Sequence, residues 1–402
     1  MRSTACRLFS RQSVRKLLIP CYLSLKIRLI SVRPKLSSHY AGRFAPTQLH
    51  CKLLTDMKTH TRSGLRWFAL HVAALASAFA TEAVDPSIER TQVIELNKGW
   101  NAVYLEVAPL DASPAKVFAS LPVDMAAVFF AGNTVSEQYI TNPGINLSKA
   151  KGWGMWYSKD RAESFLSTLG GIYGQQAYLV HAKSAVRWNL TGNVNPSNVR
   201  WRPNAYNLVG FGVRTQGAPS FGEYFADSEA HKQQPIYRLV NDTWKKVTQP
   251  DAEAMRSGEA FWIYCKNGST YQGPMGVELP LEQGVTLAGR SSSFTLRNQS
   301  SHPITATLER VSVGSAELPV SILLTAYGDP ANPVKTVAVE KPASPWTQDL
   351  PTLEKGAAIA VPLKARSLEM TQSRQVGLLK ITTDMGTETW VPMYGSRPDL
   401  NQ

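Results

Sequence analysis

Apolar and polar positions alternate along most of this chain with a period of two. The runs Thr91–Leu96, Trp100–Val107 and Ala205–Val213 follow it, and Ala126–Phe130, Gln175–His181 and Glu259–Cys265 are short, largely apolar runs of strand length. Successive side chains of a strand point to opposite faces, so these runs predict β-strands. In the run from Trp100, residues Trp100, Ala102 and Tyr104 share one face, and Asn101, Val103, Leu105 and Val107 the other. Both faces are largely apolar, which places this strand at the centre of its sheet. Two stretches break the pattern. Asp111–Phe118, with Pro114 near its start, predicts a short helix capped by Asp111 or Ser113. Ser220–Phe225 predicts another. Residues 131–173, rich in Gly and Asn, are expected to form a long loop.

The order of these elements repeats. An aromatic-Asn strand (Trp100-Asn101, then Tyr206-Asn207), a short helix, and a glycine-led aromatic strand ending at His181 or Cys265 occur twice in succession. Recurrence at a fixed order is the mark of duplicated structural units. Residues 81–198 and 199–280 are therefore expected to be two related β-rich modules. Beyond them the style changes. Seven short alternating runs follow, at Ser293–Asn298, Ile304–Val311, Val320–Tyr327, Val334–Glu340, Ala358–Lys364, Val376–Thr383 and Glu388–Met393. Seven strands over this length fit an immunoglobulin-like β-sandwich spanning 281–396, with 397–402 as a tail. The expected fold class is mainly β: two related modules with short helices, then the sandwich.

With these strands in place, a resemblance can be stated. The paired strands of Gly-Trp-Asn-x-Val type (Gly99 to Val103, then Ala205 to Val209), followed by a sandwich, resemble modules of large secreted bacterial proteins of unassigned function. The stretch Phe294–Pro303 looks like the first hairpin of such surface-protein sandwiches. The likeness covers roughly residues 93–395, its motifs are structural, and it transfers no catalytic residue.

Charge changes the picture at the N-terminus only. The chain carries a formal +13. Residues 1–80 hold fourteen Lys and Arg against one acid, Asp56, which accounts for the whole excess. The remainder has as many acids as bases, so composition gives no reason to expect a nucleic-acid surface there. Lys58, Arg62 and Arg66, then the apolar Trp67–Phe79 and the small-x-small Ala78-Phe79-Ala80, predict a secretory signal at 57–80 with Thr81 as the first mature residue. Met57 is then the expected initiator, and 1–56 a disordered basic leader. No further long apolar span follows residue 80, so no transmembrane anchor is expected in the mature chain. The expected location is secreted or periplasmic.

Candidate chemistry is sparse. Of the four cysteines only Cys265 lies beyond the leader, inside the run Phe261–Cys265 that reads as buried strand. No nucleophile elbow, metal-ligand spacing or phosphate loop is present, so no cofactor or metal is expected. His181, His231 and His302 read as surface or strand-end residues. The loop pairs Asp227/Glu229 and Asp251/Glu253 keep a carbohydrate-active hydrolase open as the alternative, since glycosidases need two facing carboxyls. The leading expectation is a non-enzymatic structural or binding protein whose partner is an extracellular polysaccharide or a cell-surface protein. Its candidate ligand residues are Trp153, Trp156 and Tyr157, in Lys151–Tyr157, and Trp244, because exposed rings can stack on sugar faces.

Overall fold

The computed structural model describes residues 87–130, 142–144, 146–196, 198–288, 291–314, 317–326, 335–340 and 345–397. The stretches expected to be leader and signal, part of the expected long loop, and residues 398–402 lie outside these residues. Thr81–Gln402 form one compact unit. It is mainly β, with mostly antiparallel sheets and only short helices.

The first seven strands are β1 (Glu89–Leu96), β2 (Gly99–Leu105), β3 (Val107–Pro109), β4 (Val123–Phe129), β5 (Trp153–Tyr157), β6 (Gln176–Ala182) and β7 (Val186–Val194). They make two sheets, ordered β1-β7-β3 and β2-β6-β4-β5. Ile94 and Leu96 of the first sheet meet Val103, Leu105, Tyr178 and Val180 of the second in a shared core. Helix α1 (Pro114–Val117) closes one end through Phe118. Pro114 opens it, as expected, but Ser113 makes no side-chain cap. Instead its N–H donates to Asp111 Oδ1.

Strands β8 (Ala205–Gly210), β9 (Ile236–Val240), β10 (Thr243–Lys246) and β11 (Ala260–Cys265) form one sheet, ordered β10-β9-β11-β8. Read from β8, that order reproduces β2-β6-β4-β5 strand for strand. Helix α2 (Phe221–Phe225) falls between β8 and β9, as α1 falls between β2 and β4. It carries a reciprocal cap, Ser220 N–H to Glu223 Oε2 and Glu223 N–H to Ser220 Oγ.

The two four-stranded sheets pack face to face. Ala102, Tyr104, Ala177 and Leu179 on one side meet Trp244, Ala260 and Trp262 on the other. The second sheet buries its opposite face, with Phe261, Ile263 and Cys265, under Trp201, Phe221, Phe225 and Met255. This stacking corrects the expected place of β2. It is an edge strand. Its two faces are apolar because one lies on each core, and its free edge is covered by the second module. There Tyr104 N–H donates to Gly258 O, and Val103 bridges to Glu259.

The remaining strands are β12 (Met275–Glu278), β13 (Val285–Ala288), β14 (Ser291–Asn298), β15 (Ala306–Val311), β16 (Val320–Ala326), β17 (Lys335–Glu340), β18 (Trp346–Asp349), β19 (Ala358–Ala365), β20 (Arg374–Thr383) and β21 (Glu388–Ser396). They form a sandwich of two five-stranded sheets, β12-β14-β19-β16-β17 and β13-β21-β20-β15-β18, around a core that includes Phe294, Leu308, Leu363 and Val391. Strand β12 comes from the stretch read as the second module and pairs with β14. The segment Phe294–Pro303 is not a hairpin. It is a corner: β14 and β15 lie in different sheets, and Asn298 Nδ2 holds the turn by donating to His302 O and Leu353 O.

Candidate functional site

The Asn that follows the leading aromatic residue does the same work in both modules. Asn101 Oδ1 accepts from Asn97 N–H, and its Nδ2 donates to Asn97 O and Gly99 O. Asn207 Oδ1 accepts from Arg202 N–H, and its Nδ2 donates to Arg202 O and Ala205 O. Each amide thus satisfies backbone groups of the turn entering its strand. The residue leading into the closing strand also matches in position, Gln175, whose N–H donates to Leu105 O, before β6 and Gly258 before β11. Both have positive φ, 56° and 74°.

Four aromatic residues were expected to form a ligand platform in a loop. Residues 153–157 are instead strand β5, and alternation along it decides where each ring goes. Trp153, Met155 and Tyr157 face the second module, and Trp156 faces the first core against Phe118, ring centroids 5.3 Å apart. Trp244 and Tyr157 are buried, at 7 % exposure each. Trp262 lies at the centre of a ring cluster with Phe129 at 5.1 Å, Trp244 at 6.2 Å and Trp153 at 6.3 Å. The structure therefore brings Trp153 and Trp244 together, as core between the sheets, and leaves Trp156 apart.

Where the paired sheets diverge they open a cleft of about 460 Å³, lined by Tyr104, Phe129, Phe130, Gln175, Tyr206, Arg200 and Arg202 among others. Phe130 is 57 % exposed. Its ring lies on the bare backbone of Gly154, where a Cβ would come within 2.5 Å of it. Tyr206 is half-buried, edge-on to Tyr264 at 5.2 Å and Tyr237 at 5.9 Å. Burial, with Tyr237 and Tyr264 close by, pushes the Tyr206 phenol up to about 12, so it stays neutral. At the floor, Tyr104 packs over Gly210, whose missing Cβ would stand 2.2 Å from Tyr104 Cβ. The Tyr104 hydroxyl donates to Gln175 Oε1 at 2.5 Å.

At the corresponding end of β2, a second cleft of about 640 Å³ opens between Trp100 and the β9–β10 turn. Lys98, Arg187, Arg256, Glu95 and Glu259 all line it, so its charges are mixed. Glu95 lies 3.6 Å from Arg187, and Glu259 accepts from Arg238.

The carboxylates singled out from the sequence line neither cleft. Asp227 accepts from Ser301 N–H at 2.7 Å, tying the second module to the sandwich corner. Glu253 lies 3.7 Å from Arg238, and Asp251 is exposed. One histidine, His231, departs from expectation, while His181 lies at the end of β6. His231 is buried, at 1 % exposure, against Trp201 with ring centroids 3.9 Å apart, and its Nδ1 is 2.6 Å from Ser228 Oγ. Burial lowers its pKa to about 4. His181 is half-buried, with Nδ1 2.6 Å from Asp124 Oδ1. Arg161 bonds the same carboxylate at 2.8 Å. Despite the cost of burial, these two partners hold Asp124 below the ordinary carboxylate range. Among the described residues, no group of three or more His, Cys, Asp or Glu is placed to hold a metal ion, and no helix is long and apolar enough to cross a membrane.

No family model and no curated protein matches the chain. Among solved structures, the ASH / PapD-like domain of human CEP192 is similar over 31 % of this chain and 84 % of its own, at 13 % identity and a TM-score of 0.18. A calcium-binding mutant of Bacteroides uniformis beta-glucuronidase 2 is similar over 76 % of this chain and 33 % of its own, at 8 % identity and a TM-score of 0.15. At these scores neither likeness carries an argument about function.

Proposed function

We propose that this chain is an exported, non-catalytic binding protein, and that the Tyr206 cleft receives a glycan between two duplicated modules. The observation that carries the reading is the open aromatic lining where the paired sheets part: Phe130 and Tyr206 beside amide side chains. Rings offer apolar area to a sugar face with little ordering cost, and amides suit its hydroxyls. The cleft volume lies within the range of small-molecule sites. The matching strand order and the matching Asn clamps support duplication. The ring contacts of Trp153 and Trp244 support a structural role for those two residues, so the platform moves from them to Phe130 and Tyr206.

Glycan-array binding of the full chain tests this, alongside Phe130→Ala and Tyr206→Ala. The reading expects at least one oligosaccharide to bind, and each substitution to weaken it about ten-fold, the equivalent of one lost stacking contact. An empty array would end the reading. So would binding indifferent to both substitutions. Export is tested separately by sequencing the N-terminus of the native protein. The expected start is Thr81, and a mature start upstream of Met57 contradicts it.

A further inference from the structure

We propose that His231 is an acid-operated latch: on taking a proton it leaves the ring stack beneath Trp201 and frees residues 198–202, one wall of the Tyr206 cleft. The proposal rests on the cleft of the reading above, not on the class of its ligand. Asn198, Val199, Arg200 and Arg202 all line that cleft. Trp201, between them, is buried in the core of the second module. Three ties hold the segment down. Gln272 accepts from Val199 N–H at 2.8 Å and donates to Val199 O at 2.9 Å. Trp201 donates its indole N–H to Tyr271 O at 2.7 Å. Asn207 accepts from Arg202 N–H and donates to Arg202 O. The floor beneath Trp201 is His231, ring centroids 3.9 Å apart, with Phe225 and Tyr271 beside it.

His231 suits this place only while neutral. Its Nδ1 lies 2.6 Å from Ser228 Oγ, and its buried Nε2 has no hydrogen-bond partner. A neutral imidazole carries one N–H, on either nitrogen, and the charged ring carries two. The second N–H would bring positive charge into a wall of rings that offers no acceptor. The face of Trp201 recovers only part of that cost. Burial accordingly lowers the His231 pKa to about 4. The ionisable groups around the ring do not offset this. Tyr224, Tyr271 and the Cys265 thiol are neutral, since burial pushes all three up. Asp227 accepts from Ser301 N–H, Glu229 is exposed, and neither bonds the imidazole. Lys232, Lys266, Arg200 and Arg202 share the sign of the protonated ring and add to the cost. By linkage, a ligand that needs the closed wall holds His231 neutral, and acid expels that ligand.

Hydrogen exchange of the full chain without ligand, at about pH 7 and about pH 4, tests this once rates are corrected for the intrinsic effect of pH. The expected result at the lower pH is a loss of protection of about ten-fold over residues 198–202, with the β6 and β20 amides unchanged. The His231 ring, followed by nuclear magnetic resonance, should titrate with the same midpoint as that loss. His231→Phe keeps a ring in the stack and cannot take a proton, so it should hold protection at both pH values. Titration of the ring with no loss of protection overturns the latch. So does a loss that His231→Phe shares, which assigns it to carboxylates. A loss spread evenly through the chain is global unfolding and overturns it too. Should His231→Phe fail to fold, the two midpoints in the wild type decide the matter: agreement supports the latch and disagreement overturns it. No sugar enters these measurements, so failure of the latch and failure of the glycan reading are separate results.

Discussion

Single residues hold the two modules in shape, and two of them give direct tests. Asn207 is buried and satisfies three backbone groups of the turn before β8. Replacing it with Ala should cost about 2–3 kcal/mol, since buried backbone donors and acceptors lose their partners. Chemical denaturation measures this, and a loss below about 0.5 kcal/mol would mean that the clamp is idle. His231 gives a pH signature. Its folded pKa, about 4, lies below the ordinary 6.5. The unfolded chain therefore binds the extra proton between those values. The stabilisation is fully present above pH 6.5 and is lost as pH falls toward 4, by on the order of 3 kcal/mol. Unfolding free energies measured from pH 7 to pH 4 should show this slope in the wild type and a shallower one in His231→Gln. Equal slopes would place His231 in contact with water.

At the scale of elements, the pairing of the two four-stranded sheets is the decisive feature. Trp262 stands at its middle, 1 % exposed among three other rings. Trp262→Ala should cost about 3–5 kcal/mol, the range for a buried large aromatic. Gly210→Ala should cost about 1–3 kcal/mol, because a Cβ there meets Tyr104 and the neighbouring backbone. Both are read as shifts in the denaturation midpoint, and a neutral Gly210→Ala would mean that the sheets do not approach this closely. Much of this level was legible in the chain. The runs read as strands marked β1, β2, β4, β6, β8 and β11, and seven strands of the sandwich. Strands β13 and β18, of four residues each, are too short for alternation to register, and β12 is interrupted by Gly276. Strand β5 was hidden by Gly152 and Gly154, which read as loop. Gly154 is there because the Phe130 ring occupies the space of its side chain. The wrong place for β2 has the same kind of cause: two apolar faces show burial on both sides, and a second module buries a strand as well as neighbours in its own sheet do.

Within Thr81–Gln402, backbone and ionic contacts join the two four-stranded sheets and the sandwich. Trp100 N–H donates to Asp242 of the second module, and Trp244 N–H donates to Asn142 of the first. Glu388 N–H of the sandwich donates to Gly212 O, and Arg214 N–H to Gly386 O. Arg90 of β1 pairs with the buried Glu106 and stacks 4.4 Å over Trp390 of β21. Burial pushes the Glu106 carboxyl up, and Arg90 opposes that shift. Arg90→Ala should therefore cost about 3–5 kcal/mol, by leaving an uncompensated buried carboxylate at Glu106. Calorimetry of that variant should show a lower melting temperature, and an unchanged one would make the contact ornamental. The cleft itself was not legible in the sequence. Tyr206 marked a repeat, Phe130 a strand end, and Arg200 and Arg202 nothing in particular. Only the facing of two sheets gathers them.

The central claim is that a ligand enters where those sheets part. Hydrogen exchange of the full chain, with and without an oligosaccharide that the glycan array identifies, localises that event most directly. Slowed exchange is expected around Tyr104, Phe129 and Phe130 and over residues 175–177 and 198–210, and nowhere else. Protection appearing instead around Asn97–Asn101 and Arg256–Glu259, or within the sandwich, would contradict it.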